Sequence, residues 1–358
     1  MAMRAIVTGA AGFIGSNLVD RLLNRGHEVV GVDNLSTGSY ANLRNAFATG
    51  GTAGEFILER IDVRSPDLIE LVAAAEPDVI FHLAAQIDVR ASVSDPRSDA
   101  LTNILGTINV CEAARKSGTQ RVVYAASGGS RYGPQTILPI DESQSVEPAS
   151  PYAVSKLAGE FYLNAYAEMY GTAPICLALS NVFGPRQNPR GEAGVVAIFC
   201  EGLLRGREVT VFGDGTATRD YVYVDDVVDA FMRAAAAPLS VTGTFNIGTG
   251  SQTTVDEVYR VISDALGVST PALYAPARTG EIHAISLDAS RARRELSWCP
   301  SIDFAEGVSR TIAWLRTFHR ALPVESESIT DFAAESGSGR GVCDVLTEVR
   351  RASRSGRL

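Results

Sequence analysis

Tyr152 and Lys156 stand four residues apart in Tyr152-Ala153-Val154-Ser155-Lys156. On a helix that spacing puts both side chains on one face. Ser150 is a good N-cap and Pro151 a good first-turn residue, so a helix is expected from Pro151 to Tyr170. A free phenol loses its proton near pH ~10, too high for a base at neutral pH. An ammonium a few ångströms away favours the phenolate and brings Tyr152 towards neutrality. Taken alone, Tyr-x-x-x-Lys also describes an exposed aromatic beside a surface lysine. The elements around the pair decide between the two.

The strongest of these elements lies near the N-terminus. Ala5-Ile6-Val7-Thr8 is short and apolar, as a buried strand requires. Gly9, Gly12 and Gly15 follow at a spacing of three. Gly9 suits a tight turn off the strand, Gly12 lets a phosphate approach the backbone, and Gly15 lets the next helix sit close to the sheet. That helix, with Leu18, Val19, Leu22 and Leu23 on its apolar face, starts with free N–H groups and a positive dipole end, which is a pyrophosphate site. Asp33 ends the second strand, where a carboxylate accepts hydrogen bonds from both ribose hydroxyls and repels a 2′-phosphate. NAD is therefore favoured over NADP. The positive ring of oxidised NAD adds to the lysine in favouring the Tyr152 phenolate, and Lys156 can also hold the nicotinamide ribose.

The 358-residue chain is 46% hydrophobic and 20% charged with a net charge of -9, which suits a globular protein and argues against a nucleic-acid surface. No apolar run reaches membrane-spanning length, and no signal peptide is expected. Cys111, Cys176, Cys200, Cys299 and Cys343 show no metal-type pairing and read as reduced cytosolic thiols, so no metal is expected.

Strand and helix patterns alternate through the first half. Strands are expected at Glu55 to Arg60, Val79 to Ala85, Arg121 to Ala125 and Ile175 to Leu179. Helices are expected at Pro66 to Ala75, Pro96 to Lys116 and Pro151 to Tyr170. The rhythm predicts an α/β, Rossmann-like, doubly wound parallel sheet with ligands beyond the carboxyl ends of its strands. After Asn181 the rhythm breaks. Short strands at Glu208 to Phe212 and Phe245 to Gly248, with helices at Asp225 to Ala236, Val255 to Leu266, Asp288 to Leu296 and Phe304 to Phe318, predict a smaller C-terminal α/β lobe. The expected division is a dinucleotide domain over 1–180 with a return segment at about 219–246, and a substrate lobe over 181–320. Residues 321–358, rich in serine, glycine and mixed charge, read as a disordered tail.

Thr8-Gly9-Ala10-Ala11-Gly12-Phe13-Ile14-Gly15, Asp33-Asn34, Asp62-Val63, His82-Leu83-Ala84-Ala85-Gln86, the Tyr152 to Lys156 stretch and Arg219-Asp220-Tyr221-Val222-Tyr223-Val224 together resemble the extended short-chain dehydrogenase/reductases. Within these the chain looks most like the nucleotide-sugar epimerases, of the UDP-glucose 4-epimerase type. Asn181 to Gln187 and Gly191 to Phe199 strengthen the likeness, which covers about residues 3 to 318.

The resemblance implies a UDP-hexose 4-epimerase with tightly held NAD. By it, Phe13 and Ile14 give N–H groups to the pyrophosphate, Asp33 holds the adenine ribose, and Asn34, Ser36, Thr37 and Gly38 form the loop beside it. Asp62 and Val63 meet the adenine, Leu83, Ala84, Ala85 and Gln86 line the nicotinamide side, and Asn103 supports them. Asn181, Val196, Arg219 and Arg278 hold the UDP-sugar, the two arginines supplying guanidinium forks to its pyrophosphate. His82 reads as a strand-end core histidine. Counting back from Tyr132-Gly133, the family's usual sugar-facing hydroxyl falls on Gly128. Either Ser127 takes its place, or water and Tyr152 do. Ile285 occupies the place of a sugar-pocket gate and leaves open UDP-glucose, UDP-N-acetylhexosamine or UDP-glucuronate as substrate. A second class is an NAD-bound sensor or scaffold. The helices Pro96 to Lys116 and Pro151 to Tyr170 resemble a four-helix dimer interface, which implies a homodimer in the cytoplasm.

Overall fold

The computed structural model describes residues 2–49, 55–135, 137–189, 194–278 and 282–321. The expectations for the tail after 321 and for Gly191 to Ala193 lie outside these residues.

Six strands alternate with helices as the periodicity predicts: β1 (Arg4–Thr8), β2 (Glu28–Val32), β3 (Phe56–Glu59), β4 (Val79–His82), β5 (Arg121–Ser127) and β6 (Ala173–Leu179). A seventh strand, Gly243–Ile247, pairs parallel with β6. The sheet order is Gly243–Ile247, β6, β5, β4, β1, β2, β3, and every pairing in it is parallel. The order reverses between β1 and β4, so the crevice above their carboxyl ends is the place for a ligand. β6 is buried along its whole length, as a central strand covered by helices on both faces must be. The chain thus returns to the central sheet for its outer strand, which extends the return segment to Ile247.

Helix α1 (Phe13–Asn24) buries Leu18, Val19, Leu22 and Leu23 against the sheet. Each side chain of this size contributes about 1.5–3 kcal/mol on leaving water. The helix of the Tyr152 pair spans Pro151–Tyr170. Ser150 Oγ accepts from the Ala153 N–H at 3.2 Å, and Gly171 ends the helix in the left-handed conformation. The segment from Pro96 to Ser117 is helical throughout but contains a π-turn at Leu101–Leu105, with Asn103 buried inside it. Such a turn inserts a residue and re-aims the side chains near it.

The second half builds its lobe from short pairings. Asn181–Phe183 runs parallel to Tyr221–Tyr223, Thr210–Phe212 parallel to Leu273–Ala275, and Thr218–Arg219 antiparallel to Thr253–Thr254. Asp220 knits these loops together. Its carboxylate is buried and accepts from Thr249 N (2.8 Å), Thr249 Oγ1 (2.7 Å), Gly250 N (3.0 Å) and Leu287 N (3.1 Å).

Candidate active site and dinucleotide crevice

The turn after β1 is shaped by what it excludes. Gly9 has φ +71°, and a Cβ there would sit 2.8 Å from Ala84 N. A Cβ at Gly15 would collide with the Gly9 carbonyl. Gly12 precedes α1 with extended backbone and no side-chain cap, and the first turn carries no acid. The helix therefore presents its free N–H groups to the crevice, as anion binding needs.

Asp33 closes the adenosine end. Its Oδ2 accepts from the Ala11 N–H at 2.9 Å and its Oδ1 from Leu35 N at 2.8 Å. Burial raises its pKa, and these two N–H groups work against the rise. A Cβ at Gly38 would lie 3.0 Å from Asp33 Oδ1, so the loop of Ser36, Thr37 and Gly38 comes back against the acid. Asn34 Nδ2 donates to Asp62 Oδ2 at 2.8 Å, and Arg64, bonded to the same carboxylate, lowers the Asp62 pKa. Val63 is buried. The ends of β1, β2 and β3 thus bring the residues expected around the adenosine into one chain of contacts. A crevice that admits no Cβ at its floor, ends in a free helix N-terminus and holds a carboxylate at its far side fits NAD.

The nicotinamide side rests on His82 and Asn103, which the sequence reading named, and on Thr8 and Thr107, to which it gave no such role. Thr8 Oγ1 accepts from the N–H groups of Leu83 and Ala84, both at 3.2 Å. It also meets His82 Nδ1 at 2.8 Å, while His82 Nε2 lies 3.0 Å from Thr107 Oγ1. Thr107 donates its own hydrogen to Asn103 O, so it accepts from Nε2–H and Thr8 donates to Nδ1. His82 is therefore a neutral core histidine, as expected, and burial with the Lys156 charge holds its pKa down at about 3. Asn103 clamps the next loop, accepting from Gln86 N at 2.8 Å and donating to Gln86 O at 2.9 Å. Its amide also reaches Asp99 Oδ1 and Ser155 Oγ, both at 3.1 Å. Asn103 lies within the π-turn, which no sequence period reveals.

Tyr152 and Lys156 share a face, as predicted. Lys156 is 4% exposed, with Nζ 4.1 Å from the centroid of the Tyr124 ring. Burial pushes its pKa down to about 7, against the attraction of Glu160, Cys176 and Asp99. Tyr152 differs from expectation. Burial raises its pKa above the ordinary 10, a hydrogen bond with Ser127 lowers it, and Asp99 raises it. Desolvation is the largest of these effects, and the Lys156 charge is not among them. The group that works against the rise is the Ser127 hydroxyl.

Gly128 stands where the family's usual sugar-facing hydroxyl was expected. A Cβ at that position would collide with Leu287 Cδ1 and lie 2.9 and 3.1 Å from the carbonyl oxygens of Ala178 and Leu179. A serine or threonine has no room there. The hydroxyl beside Gly128 in the chain is that of Ser127, the last residue of β5, and Ser130 Oγ donates to it at 2.8 Å.

The residues expected to hold the sugar sit on separate elements of the second half. Asn181 N donates to Asp220 O at 2.9 Å, and the Asn181 amide oxygen lies 3.9 Å from a Cβ built at Gly129. Arg219 Nη1 donates to Thr218 O at 2.8 Å. Val196 is buried in the helix Val195–Leu204. Arg278 is exposed and stacks on Phe212, 4.0 Å from its centroid. Ile285 is 3% exposed and packs with Tyr132, Ile140 and Leu287, behind the Gly128 turn.

Known proteins resemble this chain in sequence and in fold. The chain is 49% identical over 314 residues to a UDP-glucose 4-epimerase of Mycolicibacterium smegmatis, covering 88% of this chain and 99% of the relative. The crystal structure of the Thermotoga maritima UDP-glucose 4-epimerase with UDP-glucose superposes with a TM-score of 0.83 at 39% identity, over 88% of this chain and 100% of that one. The Thermus thermophilus UDP-glucose 4-epimerase in complex with NAD gives 0.79 at 38% identity, over 88% and 99%. The glycine turn, Asp33, Tyr152 and Lys156 all fall within residues 5–248, which match the model of the NAD dependent epimerase/dehydratase family, and the chain is a member of that family.

Proposed function

We propose that the protein is a UDP-glucose 4-epimerase that interconverts UDP-glucose and UDP-galactose. The observation that carries this reading is that Tyr152 and buried Lys156 share one helix face, with the Ser127 hydroxyl at the carboxyl end of β5 among the groups acting on Tyr152, beside a crevice shaped for NAD. Likeness to UDP-glucose 4-epimerases over 88% of the chain supports the choice of sugar.

NAD, when bound, supplies the hydride acceptor and donor at sugar C4, so no outside oxidant is consumed. Gly9, Gly12, Phe13, Ile14 and Gly15 hold its pyrophosphate, Asp33 with Asn34 and the Ser36 to Gly38 loop its adenosine, and Leu83 to Gln86 with Asn103 its nicotinamide side. Tyr152 takes the proton of the sugar 4-hydroxyl and later returns it. Lys156 and Ser127 stabilise the phenolate between these events. Asn181, Val196, Arg219 and Arg278 hold the UDP portion, so the flat 4-keto sugar turns over without leaving. Binding energy far from the reacting carbon makes that turn possible.

Under this reading the dinucleotide domain comprises residues 1–180 with the return segment, and residues 181–320 form the substrate lobe. A homodimer in the cytoplasm, where UDP-sugars and NAD are used, belongs to the same proposal. Leu101 and Leu105 on one helix and Val154 and Phe161 on its neighbour leave apolar side chains exposed on the helix pair expected to dimerise.

Tyr152→Phe tests the assignment. Turnover of UDP-galactose should fall by about 10²–10⁴-fold while NAD stays bound. Near-normal turnover excludes it.

A further inference from the structure

The turn Gly128–Arg131 carries a second hydroxyl that the proposed reaction has not used. Ser130 is half-buried, and its Oγ donates to Ser127 Oγ at 2.8 Å. Its neighbours hold it still. Gly128 is wedged among Leu287 and two β6 carbonyls, and Arg131 is tied by Nη1 to both oxygens of Glu160 at 2.8 and 2.7 Å.

A serine hydroxyl has one hydrogen to give. Because Ser127 accepts from Ser130, its own hydrogen is free to point at the Tyr152 oxygen. We propose that Ser130 is a positioning residue which, by donating to Ser127, commits the Ser127 hydrogen to Tyr152 and so supports the phenolate. The three hydroxyls form a directed row, Ser130 to Ser127 to Tyr152. A hydrogen bond given to the charged form favours that form. A row of donors polarises each member in the same sense. The proton in play moves only between the sugar 4-hydroxyl and Tyr152; Ser127 and Ser130 keep theirs. This row does the work of the hydroxyl that Gly128 cannot carry.

The inference rests on the epimerase reading for its rate effect but not for its titration effect. The NAD-loaded Ser130→Ala, Ser130→Thr, Ser127→Ala and Ser127→Ala/Ser130→Ala proteins are compared with wild type. Ser130→Ala should lower kcat about tenfold, the worth of about one hydrogen bond, with KM for UDP-galactose little changed. The acid limb of its kcat profile should move to higher pH, and Ser130→Thr should restore both. In protein labelled with ¹³C at tyrosine Cζ, the signal missing from Tyr152→Phe should titrate at higher pH in Ser130→Ala. That reading needs no sugar turnover, so it stands apart from the epimerase assignment. The double variant should fall no further than Ser127→Ala. Wild-type titration of Tyr152 in Ser130→Ala, failure of threonine to rescue, or additive losses in the double variant would each overturn the proposal.

Discussion

Arg131 Nη1 lies 2.8 and 2.7 Å from the two carboxylate oxygens of Glu160, in a pair whose side chains are 11% and 4% exposed. Glu160 also accepts from Thr244 Oγ1 at 2.7 Å. One contact therefore joins the turn after β5, the helix of Tyr152 and Lys156, and the outer strand of the sheet. Glu160 stands one helical turn beyond Lys156, and its charge supports the lysine's.

Removing one partner strands the other charge in the interior. Arg131→Met is expected to cost about 3–5 kcal/mol in urea unfolding, while Arg131→Met/Glu160→Leu should recover most of the loss. A single variant within about 1 kcal/mol of wild type would show that the pair is not load-carrying in the fold.

Restoring the family's hydroxyl at its usual position should harm the protein. Gly128→Ser pushes its Cβ into Leu287 Cδ1 and against the Ala178 and Leu179 carbonyls. The expected loss is about 1–3 kcal/mol with no gain in kcat. Adding Leu287→Ala relieves the side-chain clash but leaves the carbonyls in place, so recovery should be incomplete. Thermal unfolding and turnover read both effects; an unshifted Tm with faster turnover would contradict the steric account.

Burial lowers the Lys156 pKa from its ordinary 10.5 to about 7. Between these values the unfolded chain holds a proton that the folded chain has lost, so raising the pH favours folding. The cost of burying the charge is full below the folded value and is lifted as the pH rises towards the unfolded one. In cofactor-free protein the stability of wild type minus that of Lys156→Met should therefore climb from about pH 7 to about pH 10. Urea midpoints across that range measure it. A difference that stays level would mean the lysine keeps its proton inside the fold.

Phe161 is 61% exposed on the helix face proposed to meet a second copy, seven residues beyond exposed Val154. Phe161→Glu places a charge there and should shift the protein towards monomer in analytical ultracentrifugation, with the fold retained. An unchanged sedimentation coefficient would move the interface elsewhere.

Much of this was legible in the sequence because it depends on near neighbours. The glycine spacing and Ser150 and Pro151 before Tyr152 specify backbone geometry within a few residues. The helices Pro151–Tyr170 and Val255–Leu266 accordingly match their expected bounds. Alternating strand and helix patterns imply a parallel sheet for the same local reason. Tertiary structure decided what depends on residues far apart in the chain. Leu287 and the β6 carbonyls close the space at Gly128 from across the fold, and only their meeting leaves no room for a larger side chain there. Glu160 finds Arg131, and Thr8 finds His82, because strands and helices bring them side by side. The pKa values of Tyr152 and Lys156 follow from burial, which no spacing encodes: desolvation is a property of everything packed around a group rather than of its neighbours in sequence.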